Sequence, residues 1–367
     1  MKKYLFIVGR NVELSIEEIK SFLRKERIGF KILSTIKNGL LIESEKNLEK
    51  GIVEKLGGTI SVGEVLVSGK FEKISGELDK KQLYSTRGNK LNYVVFNFGG
   101  DYYEDITDYL KMRFKEERLK ATEKKPTGNV KLQTGEFVQN VISNLINEEY
   151  FVFGDNFGRI VEKIDYGALE KRDMKKPIRR NELSISPRLA KILINLSQVR
   201  EGETLLDPFC GVGTILQEAL LQNVKVIGVD KDKSAIHNAK INLKWFNFND
   251  DDYKVTDDDS TLVKIPKVNA VATEPDLGEL LKKNPSPEKA KQIISGFENL
   301  MIKVINNLKK NVRGKIVFTA PLVATGRKKI SPDFNRIAKA TGLKIVLGPI
   351  QEFREKSIVG RNILVME

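Results

Sequence analysis

The residues best suited to bind a small ligand lie between Asp207 and Thr214. An apolar run ends in Asp207, two glycines follow at Gly211 and Gly213, and apolar residues at helical spacing continue from Ile215. This order predicts a strand, a tight loop and a helix. Glycines let the backbone approach a ligand closely, and a helix start offers unpaired N–H groups. The Asp207 carboxylate would accept a hydrogen bond from a ligand ammonium group.

A second carboxylate favours a nucleoside ligand. Residues 224–229 form another apolar run that ends in Asp230, where folds of this kind bind ribose hydroxyls. A nicotinamide dinucleotide requires Gly or Ala three residues after the second glycine, and Leu216 stands there. Asp207 would repel a pyrophosphate and attract the cationic S-adenosylmethionine. The pattern therefore predicts S-adenosylmethionine, with a dinucleotide and a ligand-free turn as the alternatives.

The sequence Asp-Pro-Phe-Cys-Gly-Val-Gly-Thr-Ile-Leu, residues 207–216, resembles motif I of the class I methyltransferases. Its form is similar to that of THUMP-containing RNA guanine-N2 methyltransferases, above all the archaeal and eukaryotic enzymes that methylate guanosine 10 of tRNA. Residues 4–15, 56–64 and 185–196 resemble other segments of these enzymes. The resemblance implies an S-adenosylmethionine-dependent enzyme that methylates guanine N2 in tRNA.

The acidic loop after the third strand of such a fold usually holds the adenine. Asp259 is the expected contact, and Asp258 is a close rival. The predicted cofactor-binding residues are Asp207, Phe209, Cys210, Gly211, Gly213, Asp230, Lys231 and Asp259.

The end of the fourth strand departs from the family pattern. Amino-methyltransferases carry Asp or Asn, then Pro-Pro and an aromatic residue there, whereas this chain has Glu274, Pro275, Asp276 and Leu277. In the usual site, a side-chain oxygen and a backbone carbonyl orient the target NH2 toward the donor methyl, so that alignment supplies much of the catalysis. Glu274, Pro275 and Asp276 are the predicted catalytic residues.

This departure leaves three interpretations open. The site is active with a shifted acceptor, it acts on a different atom, or the chain is a catalytically degenerate RNA-binding protein that retains affinity for S-adenosylmethionine. An N6-adenine methyltransferase acting on DNA or RNA is the alternative enzyme, because it shares the exocyclic-amine geometry. The intact donor loop favours an active enzyme.

A basic segment precedes the motif-I region. Such a run contacts RNA phosphates or simply faces solvent. The predicted RNA-binding residues are Lys171, Arg172, Lys175, Lys176, Arg179 and Arg180. Residues 111–125 form a second basic stretch.

Composition agrees with a polyanionic partner. The chain has 367 residues and a formal net charge of +14, and more of the excess falls in residues 1–200. A single cysteine, Cys210, excludes intramolecular disulfides and cysteine zinc clusters. The single histidine, His237, has no evident partners in the sequence, so a histidine triad and a histidine metal cluster have no support. We expect no metal site, no membrane span and a cytoplasmic location, with tRNA as the partner; the oligomeric state stays open.

The chain length and element pattern predict several domains. We expect an α/β fold in which residues 183–367 form a Rossmann-like class I methyltransferase domain with seven strands, at 204–206, 224–229, 253–255, 270–273, 315–319, 344–347 and 362–366. Before it we expect a ferredoxin-like α+β domain at 1–70, a THUMP-like RNA-binding domain at 71–150, and a linker hairpin with the basic segment at 151–182.

Overall fold

A computed structural model of the chain describes residues 1–86, 88–125, 128–133, 135–140, 145–179, 185–276, 281, 283–326, 328–353 and 357–367. The chain forms two compact units. The first contains Met1–Ile16, Arg27–Glu54 and Gly58–Ile164, and the second contains Glu17–Glu26, Lys55–Gly57 and Asp165–Glu367. The boundary therefore crosses the first helix instead of following a single linker.

The elements up to residue 163 are mostly strands. They are β1 Lys2–Val8, α1 Val12–Lys25, β2 Phe30–Ile36, β3 Gly39–Ser44, α2 Ile52–Lys55, β4 Thr59–Ser68, α3 Phe71–Leu78, β5 Lys90–Phe98, α4 Tyr103–Glu116, β6 Lys120–Glu123, β7 Gly128–Lys131, β8 Phe137–Asn140, β9 Glu148–Phe153 and β10 Asn156–Lys163.

One eight-stranded sheet organises the first unit, in the order β2-β3-β1-β4-β10-β9-β5-β6, and β7 and β8 pair separately. Helices α3 and α4 pack on it through a core that includes Leu78, Phe114 and Tyr93. The hairpin expected as a linker at 151–166 is instead β9 and β10, and β10 lies antiparallel to β4 in the middle of the sheet. The expected boundaries at residues 70 and 150 therefore do not divide this sheet. All residues of β9 and the first three of β10 are buried, which requires covered faces that an exposed linker would not supply.

The second unit alternates helices with strands. Its elements are α5 Tyr166–Met174, α6 Pro187–Ser197, β11 Thr204–Asp207, α7 Thr214–Leu220, β12 Lys225–Asp230, α8 Lys233–Trp245, β13 Tyr253–Asp257, β14 Ala270–Thr273, α9 Pro287–Leu308, β15 Ile316–Thr325, β16 Lys328–Ile330, α10 Phe334–Thr341, β17 Ile345–Glu352 and β18 Val359–Met366.

The seven strands predicted from apolar runs form one sheet in the order β13-β12-β11-β14-β15-β18-β17, with β16 added beside β15. Strands β11 to β15 are parallel, and β18 runs antiparallel between β15 and β17. The chain order reverses between β11 and β14, and open α/β sheets bind ligands outside the carboxyl ends of the strands at such a point. Asp207 ends β11 and Thr273 ends β14.

The core of this unit lies between the sheet and its helices. Phe297 and Met301 of α9 pack with Phe318 of β15 and Leu206 of β11. Burial on both faces explains why these strands are continuously apolar in the sequence. Among the described residues, no helix is both long and apolar enough to cross a membrane.

Candidate functional site

The glycine loop between β11 and α7 has the conformation that its glycines permit. Gly211 and Gly213 have φ angles of 52° and 87°, in the left-handed region that other residues rarely adopt. A Cβ at Gly211 would meet nothing within 4 Å, so this glycine faces open space. The Cys210 amide donates to the carbonyl of Val229 at 3.0 Å, which ties the loop to β12. The loop is thus a fixed, open cradle.

Asp207 is almost fully buried at the end of β11. Its Oδ1 accepts hydrogen bonds from the Thr273 hydroxyl at 2.6 Å and from the Phe209 amide at 3.1 Å. Burial raises the pKa of Asp207 to about 7, and the negative charges of Asp230 and Glu274 add to this rise while the two hydrogen bonds oppose it. A cationic ligand beside this carboxyl group would favour its ionised form.

Asp230 organises the loop as well as facing it. Its Oδ2 accepts from the Gly211 amide at 2.8 Å, and its Oδ1 accepts from the Asp232 amide at 3.0 Å. Each carboxylate oxygen has further acceptor capacity, so both contacts are compatible with ribose binding. Lys231, the next residue, is exposed.

The acidic loop after β13 lies against the glycine loop. The Asp258 amide donates to the Asp230 carbonyl at 3.1 Å, and the buried Ser260 hydroxyl donates to the Pro208 carbonyl. Asp259 is exposed, and its Oδ1 accepts from the Thr261 hydroxyl and amide, which together lower its pKa. The structure therefore brings the loop of Asp258 and Asp259 beside the predicted donor site.

Glu274 follows β14 and forms an ion pair that the sequence did not predict. Arg361 Nε donates to Glu274 Oε1 at 2.5 Å, and Arg361 Nη2 lies 3.4 Å from Oε2. The Thr319 hydroxyl also donates to Oε1, at 3.3 Å. Pro275 is buried and Asp276 is exposed, while Leu277 lies outside the described residues.

Part of the basic segment contacts α7 and the glycine loop. Arg172 Nε lies 3.3 Å from Oε1 of Glu218, which is fully buried on α7. The Lys176 ammonium is buried and donates to the Thr214 hydroxyl at 2.9 Å, and burial lowers its pKa. Asn242 joins the same segment to the loop, since its amide donates to the carbonyls of Ile178 and Val212.

Arg172 and Lys176, two of the predicted RNA-binding residues, contact Glu218 and Thr214 of α7, and a role for them in RNA binding stays a prediction. Arg172 forms an ion pair with Glu218, and Lys176 donates a hydrogen bond to Thr214, so both side chains turn toward α7. Lys171 and Lys175 are exposed, whereas Arg179 pairs with Asp173 at 3.3 Å. Arg180 lies outside the described residues.

Sequence reasoning missed the residues that hold the site together. These are Thr273, Ser260, Asn242, Thr319 and Arg361. Thr273 directly precedes the unusual Glu-Pro-Asp segment, which was a usable signal. Within the described part of the chain, no cluster of His, Cys, Asp or Glu residues is arranged to hold a metal ion.

Two family models match parts of the chain. The RMKL-like methyltransferase domain matches residues 178–309, which include the glycine loop and Glu274. A family described as DNA methylase matches residues 72–241.

Named relatives share part of the sequence. The tRNA (guanine(10)-N2)-dimethyltransferase of Methanothermobacter thermautotrophicus is 36% identical over 31% of this chain and 33% of its own length. The protein of the same name from Pyrococcus abyssi is 26% identical over 65% of this chain and 76% of its own length. The matches cover only about a third of the length of the first curated relatives.

A solved structure shares the fold over the whole chain. The crystal structure of TrmN from Thermus thermophilus covers 100% of this chain and 99% of its own, with a TM-score of 0.51 and 13% identity.

Proposed function

We propose that this chain is an S-adenosylmethionine-dependent RNA methyltransferase that acts on guanine N2 in tRNA. The observation that carries the proposal is the placement of Asp207, the glycine loop and Glu274 at the carboxyl edge of one parallel sheet, around its switch point. The RMKL-like methyltransferase match and the names of the relatives support it.

The residues present fit the proposed cofactor. Gly211 faces open space, and the two described contacts of Asp207 both use Oδ1, so Oδ2 is available to an ammonium group. Asp230 would hold ribose hydroxyls, and Asp258 or Asp259 the adenine. S-adenosylmethionine, when bound, supplies an electrophilic methyl group.

Glu274 would accept a hydrogen bond from the target amine. Its carboxylate is held by Arg361 and Thr319, so it offers an acceptor at a fixed position without having to move. An exocyclic base amine becomes accessible only when the nucleotide leaves the stack. The chain's contribution is then orientation of the amine nitrogen, which supports transfer without a strong base.

The first unit would supply most of the affinity for RNA. We propose that it contains the THUMP-like region, because residues 4–15 and 58–64 resemble segments of THUMP-containing enzymes. Lys171 and Lys175 are exposed and precede the donor loop in the sequence. They would add contacts with RNA phosphates. Removal of the first-unit contribution should weaken tRNA binding without changing the donor contacts.

The direct test is to incubate the purified chain with isotopically labelled S-adenosylmethionine and unmodified tRNA, and to identify the nucleosides by mass spectrometry. We expect labelled N2-methylguanosine or its dimethyl form. Donor binding without any labelled nucleoside would instead favour a degenerate RNA-binding protein.

N6-adenine methylation is the second candidate, favoured by the DNA methylase match to residues 72–241. Both reactions present an exocyclic amine to the same type of acceptor. The same assay separates them when DNA is included as a substrate, because N6-methyladenosine or its deoxy form would replace N2-methylguanosine.

A further inference from the structure

We propose that Arg361 is a positioning residue that holds the Glu274 carboxylate in the orientation needed to accept the target amine. This inference rests on the proposed methyl transfer and concerns the same site. Glu274 takes the place of the Asp or Asn that the family resemblance predicts, so its longer side chain needs a restraint.

The contacts of Glu274 are asymmetric. Oε1 lies 2.5 Å from Arg361 Nε and 3.3 Å from the Thr319 hydroxyl, whereas Oε2 has one contact with Arg361 Nη2, at 3.4 Å. The guanidinium fork fixes the carboxylate plane, and Oε2 is the oxygen with more remaining acceptor capacity. The geometry thus selects Oε2 to receive the amine N–H.

The surrounding charges explain why a cation is needed here. Glu274 contributes to the negative field at the buried Asp207, which already shares its surroundings with Asp230. Arg361 is about one-third exposed, and Glu274 only one-tenth, so their pairing is partly shielded from solvent. Arg361 lies on β18 opposite Glu352 of β17, which supplies a second acidic neighbour on the side away from the glycine loop.

The positions of these residues make the restraint rigid. Glu274 directly follows β14, Thr319 lies within β15, and Arg361 lies within β18, which pairs with β15 across eight residue positions. Sites built on strands are held more accurately than sites on loops. A side chain anchored to two neighbouring strands therefore keeps its position when RNA enters.

The test compares Arg361→Gln, Arg361→Lys, Glu274→Gln and the double variant Glu274→Gln/Arg361→Gln in the tRNA methylation assay, with donor affinity measured separately. Lys328→Gln is the matched control, since Lys328 is exposed on neighbouring β16 and its loss removes one positive charge. We expect kcat to fall at least about tenfold in Arg361→Gln, with the Kd for S-adenosylmethionine within about twofold of the parent. Arg361→Lys should recover part of this loss because it keeps the charge without the fork.

The double variant distinguishes positioning from a general structural role. If Arg361 acts through Glu274, adding Arg361→Gln to the Glu274→Gln variant should lower kcat by less than about threefold. The inference would be overturned if the fold-loss of kcat in the double variant equalled the product of the losses in the two single variants. A parental kcat in Arg361→Gln would overturn it as well. If Arg361→Gln does not fold, a parental kcat in a folded Arg361→Lys would overturn it equally. A parent that binds donor but methylates no nucleic acid would refute the proposed function, and this inference with it.

Discussion

Asp207 shows how strongly a single site residue depends on its surroundings. Its carboxyl group lies under the glycine loop, and burial raises its pKa to about 7. Below that pH the group is mostly neutral and attracts an ammonium ion weakly. Above it the carboxylate is ionised and attracts a cationic donor.

Donor affinity should therefore rise as the pH increases from about 6 to about 8. Asp207→Asn should bind S-adenosylmethionine more weakly and lose this pH dependence, because the amide does not titrate. Isothermal titration calorimetry across the range provides the measurement, and Asp251→Asn, which changes an exposed acid on the second unit, provides the control. An affinity of the parent that stays constant over this range would contradict the assignment.

Glu274 should matter for transfer and little for donor binding. Glu274→Ala removes the acceptor and should raise the barrier by about 2 kcal/mol or more. Glu274→Gln should retain partial activity because its amide oxygen still accepts a hydrogen bond. Single-turnover rates with tRNA are the measurement, and a parental rate in Glu274→Ala would remove Glu274 from the site.

The sequence reveals one half of this site more readily than the other. Asp207, Asp230 and Glu274 each end an apolar run, so the parallel-strand pattern places them at one edge. Arg361 lies 87 positions from Glu274 in an apolar strand, and nothing in its local sequence indicates that partner. Contacts across distant strands depend on sheet order, which local periodicity does not determine.

Among the elements, the basic segment differs most from its sequence-based interpretation. It was predicted as an RNA-binding strip, yet two of its cations contact α7, Lys176 at Thr214 and Arg172 at Glu218. The seven strands of the second unit were predictable because burial on both faces makes them continuously apolar. The position of β10 beside β4 was not, since it depends on pairing between segments about ninety residues apart.

Two adjacent substitutions should separate the roles within this segment. Arg172→Ala should lower the free energy of unfolding by up to about 3 kcal/mol, because it removes the strongest of the positive charges that act on the buried Glu218 and leaves only those of Lys191 and Lys176. Lys171→Ala should leave stability within about 0.5 kcal/mol, because Lys171 is exposed. Lys171→Ala should instead reduce the slope of log K for tRNA against log salt concentration by about one, because one phosphate contact and its released counterion are lost.

Chemical denaturation and filter binding at several salt concentrations measure both effects. An equal free energy of unfolding in the two variants would show that the ion pair between Arg172 and Glu218 does not stabilise the fold. An unchanged salt dependence in Lys171→Ala would remove Lys171 from the RNA-binding surface.

In the whole molecule, the second unit includes the end of α1. Lys25 Nζ donates to Asn195 Oδ1 at 3.0 Å, and Glu18 Oε1 accepts from Asn195 Nδ2 at 2.8 Å. Burial lowers the pKa of Lys25 to about 8. These buried polar groups belong to the core of the second unit although their residues are nearly 180 positions apart.

Asn195→Ala should destabilise the chain by about 2 to 3 kcal/mol, since it leaves buried groups on both Glu18 and Lys25 short of a partner. We expect a lower melting temperature, measured by calorimetry; the control is Asn306→Ala, which removes a single solvent-accessible hydrogen bond from α9 to the Ala340 carbonyl. A fragment that begins at residue 165 lacks the same partners and should be similarly weakened. A stable fragment with a parental melting temperature would show that this network is dispensable.

The placement of β18 has a consequence for synthesis on the ribosome. Strand β17 precedes β18 in the chain, and its place in the sheet depends on pairing with β18. Until residues 359–366 emerge, the outer edge of β15 and the whole of β17 offer open backbone hydrogen-bonding groups. Exposed strand edges of this kind invite pairing with other chains. Nascent chains stalled before residue 359 should therefore be the ones that chaperones hold longest.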